Sequence, residues 1–154
     1  MLTALLSRVL GRFDRYVFGG VPATASALPA PDLPLPSAPV PASWVRAGAP
    51  AASALLLTRS PDGGLLTGVW ECTPGSFRWY FGCDEVILVL HGRGRVRVGE
   101  VEYALEPGIT VFFPIGTDSE WEIDETLRKY FTHRFPTPLA QRVLSAAASR
   151  DRAT

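Results

Sequence analysis

From about Trp44 to Arg134 no helical pattern of about ten residues appears, and this silence constrains the fold more than any other feature. Short apolar or alternating runs fill the span instead. They are cut by the turn signals "SPDGG", "TPG", "HGRG", "GE", "EPG", "PIGTD" and "DET". The expected strands are Ala54–Thr58, Leu65–Cys72, Phe77–Phe81, Glu85–Leu90, Arg95–Val98, Val101–Leu105, Thr110–Phe113, Glu120–Ile123 and Leu127–His133. Val98-Gly99-Glu100-Val101 suits a two-residue hairpin with glycine first. Many short strands joined by tight turns predict an all-β sandwich or barrel.

The flanks read differently. In residues 1–20, Leu2, Leu5, Leu6, Val9, Leu10, Phe13, Tyr16 and Val17 recur at helical spacing. Arg8, Arg12, Asp14 and Arg15 fill the other face, and Gly19-Gly20 stands where a helix stops. This predicts an N-terminal amphipathic helix. Residues 21–43 hold seven prolines in 23 positions, which forbids helix and central strand alike. Such a segment is extended and semi-rigid, so it holds the helix away from the body or straps it across. A C-terminal helix is expected within residues 136–154, capped by Thr137, with Pro138 in its first turn and a thin stripe of Leu139, Val143 and Ala146. The expected organisation is thus 1–20 helix, 21–43 linker, 44–135 barrel and 136–154 helix and tail.

Bulk numbers exclude several classes of function. Formal charge is +0 over 154 residues, which argues against a nucleic-acid surface. No apolar run approaches the roughly 18 residues of a transmembrane span, and no signal-peptide pattern opens the chain. Two cysteines, Cys72 and Cys83, make no disulfide framework. The expected location is the cytoplasm.

Glu85 raises the sharpest chemical question. It shares its phase with Ile87 and Val89, at the start of a run that is apolar on both phases through Leu90. That run predicts a strand covered on both faces. A carboxylate there must be paired, hydrogen-bonded or protonated. Arg78, Arg128, Lys129 and His133 are the available partners, and one dimension does not say which reaches it. A structural ion pair, a carboxylate at the rim reaching water and a functional carboxylate all satisfy the pattern.

The runs "GVWECTPGSFRWYFGCDEVILVLHGRGRV" and "LEPGITVFFPIGTDSEWEIDETLRKYF" resemble the cupin superfamily, and within it the cupin_3 type. That type resembles the domains of ureidoglycine aminohydrolase and of the ethanolamine-utilisation cupin. The resemblance covers about Trp44 to Arg134. It implies a double-stranded β-helix, a jelly-roll barrel with a pocket between two sheets. Metal-binding cupins carry Gly-x5-His-x-His-x3–4-Glu-x6-Gly and Gly-x5-Pro-x-Gly-x2-His-x3-Asn. Glu85 and Gly92 keep the gap of the first motif; Gly108, Pro114 and Gly116 keep the frame of the second. The histidine positions fall on Trp79 and Phe81 (or on Arg78 and Tyr80 with the longer spacing), and on Ser119. One ligand of four remains, too few for a transition metal. A substitute set could draw only on Glu71, Cys72, Cys83 and His133.

These readings imply a metal-independent barrel without cofactor that binds a small organic molecule. Trp79, Phe81, Ser119 and Trp121 are the expected ligand-binding residues, and Glu85 is the candidate for acid–base chemistry of an isomerase or cyclase kind. A metal-dependent enzyme with an unusual ligand set is the second class. An accessory or scaffold protein that docks through residues 1–20 is the third. A homodimer is expected from the family. The cysteines read as buried, small apolar residues, and His91 as a solvated turn residue.

Overall fold

The computed structural model describes residues 33–60 and 63–136. The expected helices in 1–20 and 136–154 lie outside the described residues, as does the first part of the proline-rich segment. Among the described residues, eight strands follow a 3-10 turn at Ala42–Trp44: β1 Val45–Gly48, β2 Ala52–Arg59, β3 Leu65–Cys72, β4 Gly75–Tyr80, β5 Asp84–Val98, β6 Val101–Leu105, β7 Thr110–Phe113 and β8 Asp118–Arg134. All pairings are antiparallel.

Two of the strands are long and serve both sheets. The first half of β8 pairs with β4, while its second half pairs with β3. In β5 the first half pairs with β7 and the second with β6, and β8 lies beside both halves. One sheet therefore runs β1-β4-β8-β5-β6, and the other runs β2-β3-β8-β5-β7. Folding the shared strands brings the two inner faces together as a jelly roll around one core.

Here the structure corrects the sequence reading. Glu85–Leu90 and Arg95–Val98 are one strand, and so are Glu120–Ile123 and Leu127–His133. "HGRG" is not a turn. It is a bulged stretch in which β5 slips its register against β8 between Val89 and Gly94. Gly92 has φ +80°, and a Cβ on it would lie 2.1 Å from the Thr126 carbonyl oxygen. Only glycine fits that crossing. The slip changes the inward phase, so that Glu85, Ile87 and Val89 point in on one side and Val96 on the other. Strand β1 was not expected; it pairs with β4 at the sheet edge.

A second correction concerns burial. Val86 and Leu88 are 41% and 38% exposed, so β5 is not covered on both faces by the described residues. His91 is exposed, as expected. The inner core gathers Phe77, Phe81, Ile87, Val89, Val96, Leu105, Phe113, Trp121, Ile123 and Leu127. Phe81 stacks on Phe113 with centroids 4.3 Å apart.

The described part of the proline-rich segment lies against the barrel. Ser37 bridges Ser53, Ala38 donates to the Ala52 carbonyl and Ala54 to that of Pro36. The chain thus adds a short extended piece beside β2, which suits residues that cannot enter a central strand. Val40 closes this strap into the core.

Candidate ligand site

Inward positions of β3, β4 and β8 meet those of β2 and β5 around a cavity of about 460 Å³. Trp70, Phe77, Trp79, Trp121 and Phe131 form its aromatic wall, Ala54 and Leu56 add to it, and Pro36, Ser37 and Ala38 of the strap lie at its margin. Gly68 makes room for part of this wall. A Cβ there would meet Cζ of Phe131 at 2.5 Å, so the ring lies against bare backbone.

The polar end of the cavity answers the question of Glu85. Lys129 Nζ donates to Glu85 Oε1 at 2.6 Å, and His133 Nε2 lies 2.8 Å from Glu85 Oε2. Cross-strand register makes the second contact inevitable, because Glu85 and His133 face each other directly on β5 and β8. Lys129 sits two inward positions before His133 on β8, opposite Trp70 on β3. Its ammonium lies 5.1 Å from the ring centroids of both Trp70 and Trp121. Two cation–π contacts and one carboxylate thus offset the desolvation of a buried lysine.

Burial works to raise the pKa of Glu85, but the Lys129 ammonium and the His133 hydrogen bond more than offset it, pulling the group down to about 2. Glu85 is therefore ionised across the ordinary pH range. Such a carboxylate is a weak proton acceptor and a strong anchor.

The other candidate partners are engaged elsewhere. Arg78 makes a two-pronged contact with Asp118, at 2.7 Å for each prong. Arg128 points to the opposite face, toward Glu71 and the Leu33 carbonyl. Of the expected ligand-binding residues, Trp79 and Trp121 line the cavity. Phe81 and Ser119 do not. Phe81 is packed behind the wall on Phe113, and the Ser119 hydroxyl donates to the Trp79 carbonyl while accepting from Trp121 Nε1. Ser119 thereby fixes the indole that does face the cavity. Trp70, a ring that could line such a slot, does line it, while Phe77, Phe131 and the strap carry no sequence signal for the cavity. Trp70 meets Lys129 through the register of β3 with β8, which joins residues 59 positions apart and has no local signal.

The cysteines are poor nucleophiles here. Burial pushes the Cys72 thiol up to about 11, and burial together with Glu85 and Asp84 pushes Cys83 to about 12.

The sequence of residues 59–131 matches the family profile of the EutQ-like cupin domain, Cupin_3. The barrel is a cupin domain of this type. Solved cupin structures share its fold at low identity. An ethanolamine utilization protein Q from Salmonella typhimurium LT2 superposes with a TM-score of 0.50 at 22% identity, covering 55% of this chain and 69% of that one. A Pseudomonas syringae protein of unknown function from the DUF861 family gives a TM-score of 0.63 at 22% identity, over 70% of this chain and 47% of that one. The cupin domain of Schizosaccharomyces pombe Cnp3 gives 0.52 at 18% identity, over 59% and 69%. At these identities the likeness speaks for the fold alone. No curated protein matches the chain.

Metal-binding cupins place three imidazoles and a carboxylate at the barrel centre. This cupin domain offers Glu85 and His133 there, and Lys129 already occupies one oxygen of the carboxylate. Among the described residues, no group of three or more His, Cys, Asp or Glu could hold a metal ion. The donor set does not fit a transition-metal centre.

Proposed function

We propose that this cupin domain binds a small, mainly apolar organic molecule, without a metal, in the cavity between its sheets. The observation that carries the reading is the pairing of an aromatic wall with a compact polar cluster at one end. Cavities of several hundred Å³ lined by aromatic groups, with a few convergent polar atoms, are the usual form of small-molecule sites. The polar end favours a ligand with one acceptor group, a carboxylate or carbonyl. Lys129 keeps two N–H donors beyond the one given to Glu85. The ligand's body would lie against Trp70, Trp79 and Trp121.

Any acid–base chemistry then falls to a different residue from the one expected. Glu85 fixes the imidazole and the ammonium, while His133, partly exposed at the cavity, is the group placed to move a proton. Glu85 acts in this reading as a positioning residue, and the reaction class remains proton transfer at a C–H or O–H bond of the ligand.

Tryptophan fluorescence provides the test. Indole-3-carboxylate and 2-naphthoate, titrated into the full chain, should quench emission saturably, and Lys129→Met should weaken both at least tenfold. Linear, unsaturable quenching by both probes, unchanged by Lys129→Met, would show a cavity that takes no such ligand.

A further inference from the structure

The two outer faces of the barrel differ in chemistry. On the β1-β4-β8-β5-β6 sheet, Arg78 pairs with Asp118, Arg46 with Glu120, and Arg95 with Glu122 and Asp124. This is a solvated, charge-laced face. The outer face of the β2-β3-β8-β5-β7 sheet is apolar over its last two strands, β5 and β7. Val86 lies between Phe112 and Thr132 in register, and Leu88 lies between Thr110 and Tyr130. Phe112 is 57% exposed, and Val86 and Leu88 are its exposed neighbours. Val69, on the same face opposite Tyr130, is fully buried. A contiguous apolar patch of this kind marks a surface that something covers.

The chain itself leads to that face. Arg128 and Glu71 point outward there, on the side opposite Lys129 and Trp70, and Arg128 Nη2 donates to the carbonyl of Leu33. The first described residue is thus held on the apolar sheet's outer side, and 32 residues precede it. Among those residues, Leu2, Leu5, Leu6, Val9, Leu10, Phe13 and Val17 recur at helical spacing, with three arginines, Arg8, Arg12 and Arg15, in the positions between. Wound as a helix, residues 2–17 would be about 24 Å long. Five strands at their usual spacing span roughly 19–24 Å, so the two match in size. Residues 21–32, if extended, reach about 40 Å, more than the sheet requires.

We propose that residues 2–17 dock as an amphipathic helix on the outer face of this sheet, with their apolar stripe over Phe112, Val86 and Leu88 of the same chain. The competing occupants are a second copy of the barrel and residues 137–154. The N-terminal stripe is favoured by its seven large apolar residues, against the two large ones (Leu139 and Val143) in the C-terminal stripe, and by the point at which Leu33 leaves it.

Photo-crosslinking tests the assignment in the full chain. With p-benzoylphenylalanine in place of Phe112, irradiation should give an adduct of single-chain mass whose joined peptide lies within residues 2–17. An adduct of doubled mass, a junction within 137–154, or no adduct would overturn the proposal. As a second measurement, Leu6→Glu with Leu10→Glu should raise the emission of an added naphthalene-sulfonate dye several-fold by baring the patch. Unchanged emission would count against docking even if the crosslinking were ambiguous in yield.

Discussion

Lys129 Nζ and Glu85 Oε1 stand 2.6 Å apart, with side chains only 8% and 5% exposed. Two opposite charges thus face each other where water cannot solvate either. Removing one partner leaves the other buried and unpaired, which costs about 3–5 kcal/mol. Glu85→Gln should lower the free energy of unfolding by that amount. Adding Lys129→Met to Glu85→Gln should recover part of the loss, because the orphaned ammonium is gone. Urea denaturation of the two variants beside the wild type checks both signs.

The same pair makes the domain acid-labile. The folded pKa of Glu85 is lowered from 4.5 to about 2. A depressed carboxylate contributes stability that is fully present above its unfolded pKa and is lost as pH falls through the folded one. The window therefore lies between about pH 4.5 and 2, and the contribution at stake is roughly 3 kcal/mol. Urea midpoints measured across that range should fall for the wild type and fall less for Glu85→Gln.

Trp79 and Phe81 should separate binding from packing. Trp79 lines the cavity, while Phe81 is stacked against Phe113 and 2% exposed. Trp79→Ala should weaken ligand quenching at least tenfold with a smaller loss of stability. Phe81→Ala should cost about 3–5 kcal/mol by leaving a void, with little change in affinity for molecules that remain folded. Calorimetric melting and fluorescence titration of both variants report the two quantities independently.

Gly92 and Gly108 both have positive φ, at +80° and +91°, but only Gly92 has a neighbour in the way. Gly108→Ala meets open space and carries backbone strain alone, about 1–2 kcal/mol. Gly92→Ala must also displace the backbone of Thr126, and should melt the domain far below the Gly108→Ala variant. Thermal unfolding by circular dichroism gives the comparison.

The two thiols should be silent in the folded protein. Their raised pKa values and burial predict negligible reaction with a disulfide reagent at pH 8, and rapid reaction of both in denaturant. Absorbance of the released thiol counts them.

Much of the barrel was legible residue by residue. Leu65–Cys72, Val101–Leu105 and Thr110–Phe113 begin and end where alternation and turn chemistry put them. The failures share a cause. Gly92 and Gly94 in "HGRG", like the polar run Asp124-Glu125-Thr126, mimic turns, yet they are places where a strand bends from one sheet into the other. A turn and a bulge use the same residues for the same backbone reasons, and only pairing tells them apart. Glu85 was recognised as buried because phase is local. Its partners were left among four because register between β5 and β8 joins residues some 45 positions apart, which no local pattern encodes. Ser119 and Phe81 were placed by motif position, and the rings and hydrogen bonds around them moved the cavity one layer further in.

A single stretch of backbone, β8, carries Trp121 before its bend and Lys129 and His133 after it. The distance between indole, ammonium and imidazole is therefore set by one angle in one polypeptide run, not by how separate pieces happen to assemble. A substitution at Asp124, Glu125 or Thr126, all exposed and outside the cavity wall, would act like turning the screw of a caliper, resizing the chamber while leaving every one of its jaws intact.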